Sequence, residues 1–242
     1  MEKSLILAHR GACGYAPENT LEAFRLALDM GADGFELDVH MSRDGHLMVI
    51  HDESVNRTTN GTGLVRDLTL QQLKELDASC GMEAYRGARI PTLEEVFRLI
   101  QNTSYIVNVE IKTDEWFYPA LEEKCLALAK EMGVEEQIIY SSFNHFSLIK
   151  LRQLKPDAKL GMLFGDIMVK PWEYAKQLPV DYLHPMKMNI YVPGFPENTR
   201  NAGYGINMWT INDEATMLEC LKTGAGIITN YPDVAVKLRN AQ

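Results

Sequence analysis

The sequence predicts a single closed (β/α)8 barrel, and three observations predict it. Short apolar runs of β type alternate with helical patterns from one end of the chain to the other, with no block of strands set apart. That alternation implies a parallel sheet with helices between its strands. The length of 242 residues allows roughly 30 residues for each of eight units, the usual size of a barrel repeat. The ionisable residues fall at the ends of the early runs, where a barrel gathers its active site.

Nine runs read as strands: residues 5–9, 34–41, 47–51, 105–112, 138–141, 159–164, 182–185, 205–211 and 226–230. Nine is one too many. The adopted account pairs 34–41 with 47–51 and takes one of the short later runs, or its boundaries, as misread. Helix starts are better marked. Asn19-Thr20-Leu21-Glu22 reads as a capping box, with the Asn19 oxygen on the free N–H groups and Glu22 reaching back. Leu21, Phe24, Ala27 and Leu28 follow at helical spacing and Gly31 supplies the stop. Pro91-Thr92-Leu93-Glu94-Glu95 opens a second helix, and Asp213-Glu214-Ala215 a third with acids at its positive end.

One stretch breaks the rhythm. Between His51 and Pro91 the chain is rich in Asn, Thr, Gly and Arg, with one helix-like piece at 70–76. A long polar excursion in a compact fold is a functional loop or cap more often than a tolerated insertion. The domain reading is one barrel over 1–242 with an insertion at about 52–91.

The composition, 46% hydrophobic and 24% charged, is that of a soluble enzyme. Lys+Arg number 24 against 33 Asp+Glu, a net charge of −9. This argues against broad binding to nucleic acid or to anionic membrane. An anionic small molecule stays open, because a few cations or a metal reverse the potential inside one cleft. Cys13, Cys80, Cys125 and Cys220 are widely spaced with no CxxC pair, which suits free thiols in a reducing compartment. Leu5-Ile6-Leu7-Ala8 reads as a buried strand, not the apolar core of a signal peptide. No apolar run reaches the ~18 residues of a membrane span. The expectation is a cytoplasmic protein with no integral membrane segment and no set oligomeric state.

His9-Arg10 ends the first run, Glu36-Leu37-Asp38 lies on the second, His51 ends the third, and Glu110-Ile111-Lys112 ends the run after the excursion. Strand side chains alternate, so Glu36 and Asp38 share one face while Leu37 packs against the outer layer. Glu110 and Lys112 share a face by the same rule. Three carboxylates in one cavity repel and desolvate at considerable cost. A hard divalent cation, Mg²⁺ or Ca²⁺, removes that cost through oxygen coordination. Glu36, Asp38 and Glu110 are therefore the expected metal ligands, with His9 and His51 beside them as an acid/base pair. Taken singly, an E-x-D in a strand is more often an ion pair, and a lone histidine is more often a packing residue. Seven such groups at strand ends of one mouth read otherwise. Two rivals share these residues: a barrel that stabilises an enolate with Lys112 or a histidine as base, and a non-catalytic barrel that senses phosphodiesters.

The segments His9-Arg10-Gly11, Pro17-Glu18-Asn19-Thr20, Gly34-Phe35-Glu36-Leu37-Asp38-Val39 and His51-Asp52 stand in the first quarter of the chain. They are followed by Arg57-Thr58-Thr59-Asn60-Gly61-Thr62-Gly63, Ile90-Pro91-Thr92-Leu93 and Glu110-Ile111-Lys112. Trp209-Thr210-Ile211-Asn212 and Ile228-Thr229-Asn230-Tyr231-Pro232-Asp233 complete the set. In this order, from residue 9 to residue 233, it resembles the glycerophosphodiester phosphodiesterase family. The resemblance implies a barrel with a small insertion after the second strand. It implies hydrolysis of small-molecule glycerophosphodiesters to sn-glycerol 3-phosphate and an alcohol. It also implies His9 and His51 as general base and acid, Arg10 and Lys112 as phosphate contacts, Trp209 as a pocket wall, and Glu36, Asp38 and Glu110 as metal ligands. The alternative is a longer lipid diester cleaved in the manner of a lysophospholipase D. Residues 178–201 match no motif, so the wall facing the leaving alcohol is unassigned. Met82, Tyr85, Trp172, Tyr174, Tyr191 and Phe195 are its aromatic and apolar candidates, although such residues more often serve packing.

Overall fold

All eight residues of β2 (Gly34–Met41) are buried, as in a strand with neighbours on both sides and covered faces. The structure, a computed structural model, describes residues 4–241. In it β2 is flanked by β1 (Ile6–His9) and, across the polar excursion, by β4 (Ile106–Ile111). The ring continues through β5 (Ile138–Ser142), β6 (Lys159–Phe164), β7 (Tyr182–Pro185), β8 (Gly205–Met208) and β9 (Gly226–Thr229). β9 pairs back onto β1, and every pairing in the ring is parallel. The fold is a closed eight-stranded parallel barrel with helices between its strands, a TIM barrel.

The ninth strand is β3 (Leu47–Val49), which runs antiparallel on β2 from Val39↔Val49 to Met41↔Leu47. The early pairing expected from sequence is present. The surplus, however, is β3 itself, and each short later run is a genuine barrel strand. β3 also stops at Val49, so His51 lies two residues beyond it, and the 205–211 run ends as a strand at Met208.

Alternation along β2 sorts the side chains. Phe35, Leu37 and Val39 join the large apolar cluster that includes Phe24, Val96 and Phe97 from the helices. Glu36 and Asp38 therefore point into the barrel. The cluster rests partly on α1 (Leu21–Asp29), where Phe24 is fully buried and stacked on Phe35 with ring centroids 4.4 Å apart. Phe24→Ala is expected to lower the unfolding free energy by about 3–5 kcal/mol in urea titrations, and a loss under ~1 kcal/mol would contradict this packing.

The N-cap of α1 is Thr20, whose hydroxyl accepts from the Ala23 N–H. Asn19 is not the cap. Its side-chain amide instead donates to Asp38 Oδ2 at 2.9 Å, and a buried carboxylate draws a nearby amide more strongly than one helix N–H does. The expected starts at Thr92, for α3 (Leu93–Ile100), and at Asp213, for α8 (Glu214–Thr223), are present with their side-chain caps. The 52–91 stretch holds α2 (Leu70–Glu75) and two short 3-10 turns. It packs through a separate apolar cluster that includes Val55, Val65, Leu73 and Ala78 together with Met48, Ile50 and Ile90. Among the described residues no helix is long and apolar enough to cross a membrane.

Candidate active site

Register sets the floor of the site. His9 lies beside Glu36 and Glu36 beside Asn108, while Asp38 lies beside Glu110 one step nearer the mouth. Glu36, Asp38 and Glu110 are all buried, and one carboxylate oxygen from each lies within 4.8 Å of the others. After His9 the chain turns sharply, with Arg10 (φ 54°) and Gly11 (φ 81°) both left-handed. Gly11 also passes so near α1 that a Cβ there would sit 2.6 Å from the Ala23 backbone. This turn aims the Arg10 N–H at Glu36 Oε2 (2.9 Å) and brings the guanidinium to Asp38 (3.5 Å) and Glu18 (2.9 Å).

The charges are unevenly settled. Burial drives Glu36 well above the usual carboxylate range, and its neighbours Asp38 and Glu110 add to the effect. Burial, then Asp38, pushes Glu110 up to about 7. For Asp38 burial also acts upward, but Arg10, His51, Lys112 and the Asn19 amide outweigh it and hold the group at about 2. Asp38 Oδ1 is buried without a hydrogen-bond partner, and so is Asn108 Oδ1. Three crowded carboxylates with unused oxygen lone pairs fit a hard divalent cation.

His9 and His51 both line a cleft of about 90 Å³ over these acids, with Arg10, Glu36, Glu110 and Trp209. His9 Nδ1 meets Asn230 Oδ1 at 2.8 Å, which makes Nδ1 the donor and leaves Nε2 free. Burial and then Arg10 push His9 down to about 4, so the ring is neutral at pH 7. His51 is placed indirectly: buried His40 of β2 donates from Nε2 to the His51 carbonyl (3.0 Å), with its own Nδ1 met by the Tyr118 hydroxyl. His51 Nδ1 bonds Asp52 Oδ1 at 2.7 Å.

Lys112 is nearly buried and bound to Glu110 Oε1 at 3.1 Å; it is not part of the cleft lining. Trp209 does line it, anchored by Nε1 on the His184 carbonyl (2.8 Å) and set edge-on to Phe143. The six wall candidates lie elsewhere. Phe195 is fully buried beside Trp172, Tyr174 bonds His145, Tyr191 bonds Thr216, and none of these four, nor Met82 or Tyr85, lines this cleft.

Sequence reasoning gave no part in the site to Glu18, Asp52, Asn108, Phe143 or Asn230, and cast Asn19 only as a helix cap, yet all six lie in or against the site. Asn108 was within reach, since it shares a face with Glu110 two residues on. The others sit on loops, where no periodicity marks direction.

The family model for the glycerophosphoryl diester phosphodiesterase family matches residues 9–234. The chain belongs to that family. It is 44% identical over 238 residues to a glycerophosphodiester phosphodiesterase of Caldanaerobacter subterraneus, covering 98% of each chain. Two solved structures are similar over nearly their whole length. The glycerophosphodiester phosphodiesterase of Agrobacterium tumefaciens has a TM-score of 0.86 at 32% identity, covering 97% of this chain and 99% of that one. A phosphodiesterase of Oleispira antarctica, in complex with the product sn-glycerol-3-phosphate, has a TM-score of 0.89 at 31% identity, covering 98% and 97%. The protein is an enzyme of this family's class, a phosphoric diester hydrolase, which sets aside the non-catalytic barrel.

Proposed function

We propose that the protein hydrolyses glycerophosphodiesters to sn-glycerol 3-phosphate and an alcohol, using a divalent metal ion and two histidines. The observation that carries this reading is the convergence of three buried carboxylates with His9, His51 and Arg10 at one small cleft. The product bound by the Oleispira relative supports the substrate class. Glu36, Asp38 and Glu110 would hold Mg²⁺ or Ca²⁺, both of which suit an all-oxygen site. When bound, the ion supplies a Lewis acid for the phosphoryl oxygens. Arg10 offers a planar fork to the same phosphate, and Lys112, at the edge of the acid cluster, adds a point charge.

His9 is the general base, because its Asn230 bond keeps the proton on Nδ1 and leaves the Nε2 lone pair for the nucleophile. His51 is the general acid. Asp52 accepts from Nδ1 and so turns Nε2 toward the departing oxygen; in its imidazolium form, which the Asp52 carboxylate stabilises, the ring gives that oxygen the Nε2 proton. The nucleophile is water or the glycerol 2-hydroxyl, which release the open and the cyclic phosphate respectively. Trp209 and Phe143 form an apolar wall against the glycerol carbons. Residues 52–91 act as a cap inserted in a single barrel domain. Free cysteines at 13, 80, 125 and 220 support a cytoplasmic setting.

The test is direct. Incubation with glycerophosphocholine and glycerophosphoethanolamine, under Mg²⁺ or Ca²⁺, is expected to release glycerol phosphate with choline or ethanolamine. Absence of both products with either ion overturns the reading.

A second reading has its own support. Phe117 and Val169, on the loops after β4 and β6, are 80% and 91% exposed, and Phe146, in the first turn of the helix His145–Leu154 that follows β5, is 78% exposed. Apolar side chains standing out at the mouth of a barrel suit a diester that carries an acyl chain. Faster release of choline from lysophosphatidylcholine than from glycerophosphocholine would favour it.

A further inference from the structure

Arg57 lies outside the cleft lining, yet its guanidinium grips two carboxylates that each hold a cleft residue. Nε and Nη2 donate to Asp52 Oδ2 and Oδ1 at 2.7 and 2.8 Å. Nη1 and Nη2 donate to Glu18 Oε2 and Oε1 at 2.7 and 2.8 Å. Asp52 Oδ1 in turn bonds His51 Nδ1, and Glu18 Oε1 accepts from Arg10 Nη1. A chain of alternating charge (Arg10, Glu18, Arg57, Asp52, His51) thus spans the mouth from the loop after β1 to the polar excursion.

Resting on the function proposed above, we infer that Arg57 is a positioning residue that sets the phosphate-binding arginine and the acid histidine in register with one another. Two features argue against a role in stability alone. Glu18 and Asp52 each keep a second partner without Arg57, Arg10 at 2.9 Å and His51 at 2.7 Å, so its loss strands neither carboxylate. The excursion has other ties: its own apolar cluster, the Lys74–Glu95 pair and the Arg43 N–H bonded to the Leu68 carbonyl. The residue type matters as well. Only a guanidinium presents two bidentate edges in one plane, so a lysine would hold one carboxylate and free the other.

The geometry also predicts how the effect divides. Neither Glu18 nor Asp52 is replaced in an Arg57 variant, and the acids below keep their arrangement, so substrate still enters. What is lost is alignment, and a misplacement of about 1 Å costs on the order of 10²-fold in rate. The experiment compares Arg57→Ala, Arg57→Lys and wild type on glycerophosphocholine with the metal present. Both variants are expected to fold with melting midpoints close to wild type. Arg57→Ala should lose ~10²-fold in kcat with KM changed less than about threefold. Arg57→Lys should recover only part of this loss. Guanidinium ion added at millimolar concentration should raise kcat of Arg57→Ala and leave wild type unmoved. An unchanged kcat in a folded Arg57→Ala, or a loss confined to KM or to the melting midpoint in both variants, overturns the positioning role. A wild-type protein that releases no glycerol phosphate overturns the proposed function and this role together, which separates the two failures.

Discussion

Replacing His51 with alanine is expected to lower kcat on glycerophosphodiesters by about 10²–10⁴-fold while the barrel stays folded. The fold is indifferent to this side chain, because the segment is held by its backbone: His40 of β2 donates to the His51 carbonyl. His9→Ala should cost a similar factor. Burial and Arg10 hold His9 down to about 4. A base pushed below its ordinary value stays in its working, neutral form until pH falls to that lower value. The wild-type kcat/KM should therefore show no loss attributable to His9 between pH 7 and about 5. Stopped assays of glycerol phosphate across pH check both statements. Near-wild-type turnover of either alanine variant would remove the acid/base pair.

The second large effect falls on the acids. Glu36→Gln or Asp38→Asn is expected to reduce turnover by roughly 10²-fold or more, by removing charge from the site that would bind the ion. Stability of the metal-stripped protein should move the other way for Glu36→Gln. A buried carboxyl that burial, Asp38 and Glu110 all push upward is a strained neighbour, and the amide relieves the repulsion. The pH dependence follows the same logic. Glu110, raised from 4.5 to about 7, binds its proton more readily in the folded than in the unfolded chain. Its contribution is therefore full below pH 4.5 and is lost as pH rises toward 7. Melting of chelator-treated wild type should accordingly weaken over that window, and added Mg²⁺ or Ca²⁺ should restore it most at the upper end. A Glu36→Gln variant that melts well below stripped wild type would contradict this account.

Much of this was legible because strands impose a period of two. Glu36 and Asp38 on one face, Glu110 and Lys112 on another, and Leu37 in the outer layer follow from alternation alone, and the register of β1, β2 and β4 brings them together. The strand count was legible and its interpretation was not. A three-residue antiparallel strand such as Leu47–Val49 has the same apolar signature as a short parallel barrel strand. Asn19 was misjudged because a capping pattern and a carboxylate partner compete for one side chain, and only the fold brings Asp38 within its reach. Glu18, Asp52 and Asn230 escaped for a related reason. They sit on loops that no local pattern orients, and their partners lie 39, 5 and 221 residues away in the chain.

Calorimetric titration of metal-stripped protein with Mg²⁺ or Ca²⁺ addresses the carboxylate cluster most directly, since it needs no substrate. One ion per chain should bind to the wild type, and Asp38→Asn should abolish or greatly weaken that binding. A stripped wild type that takes up neither ion at millimolar concentration, yet still turns over glycerophosphocholine in excess chelator, would contradict the account.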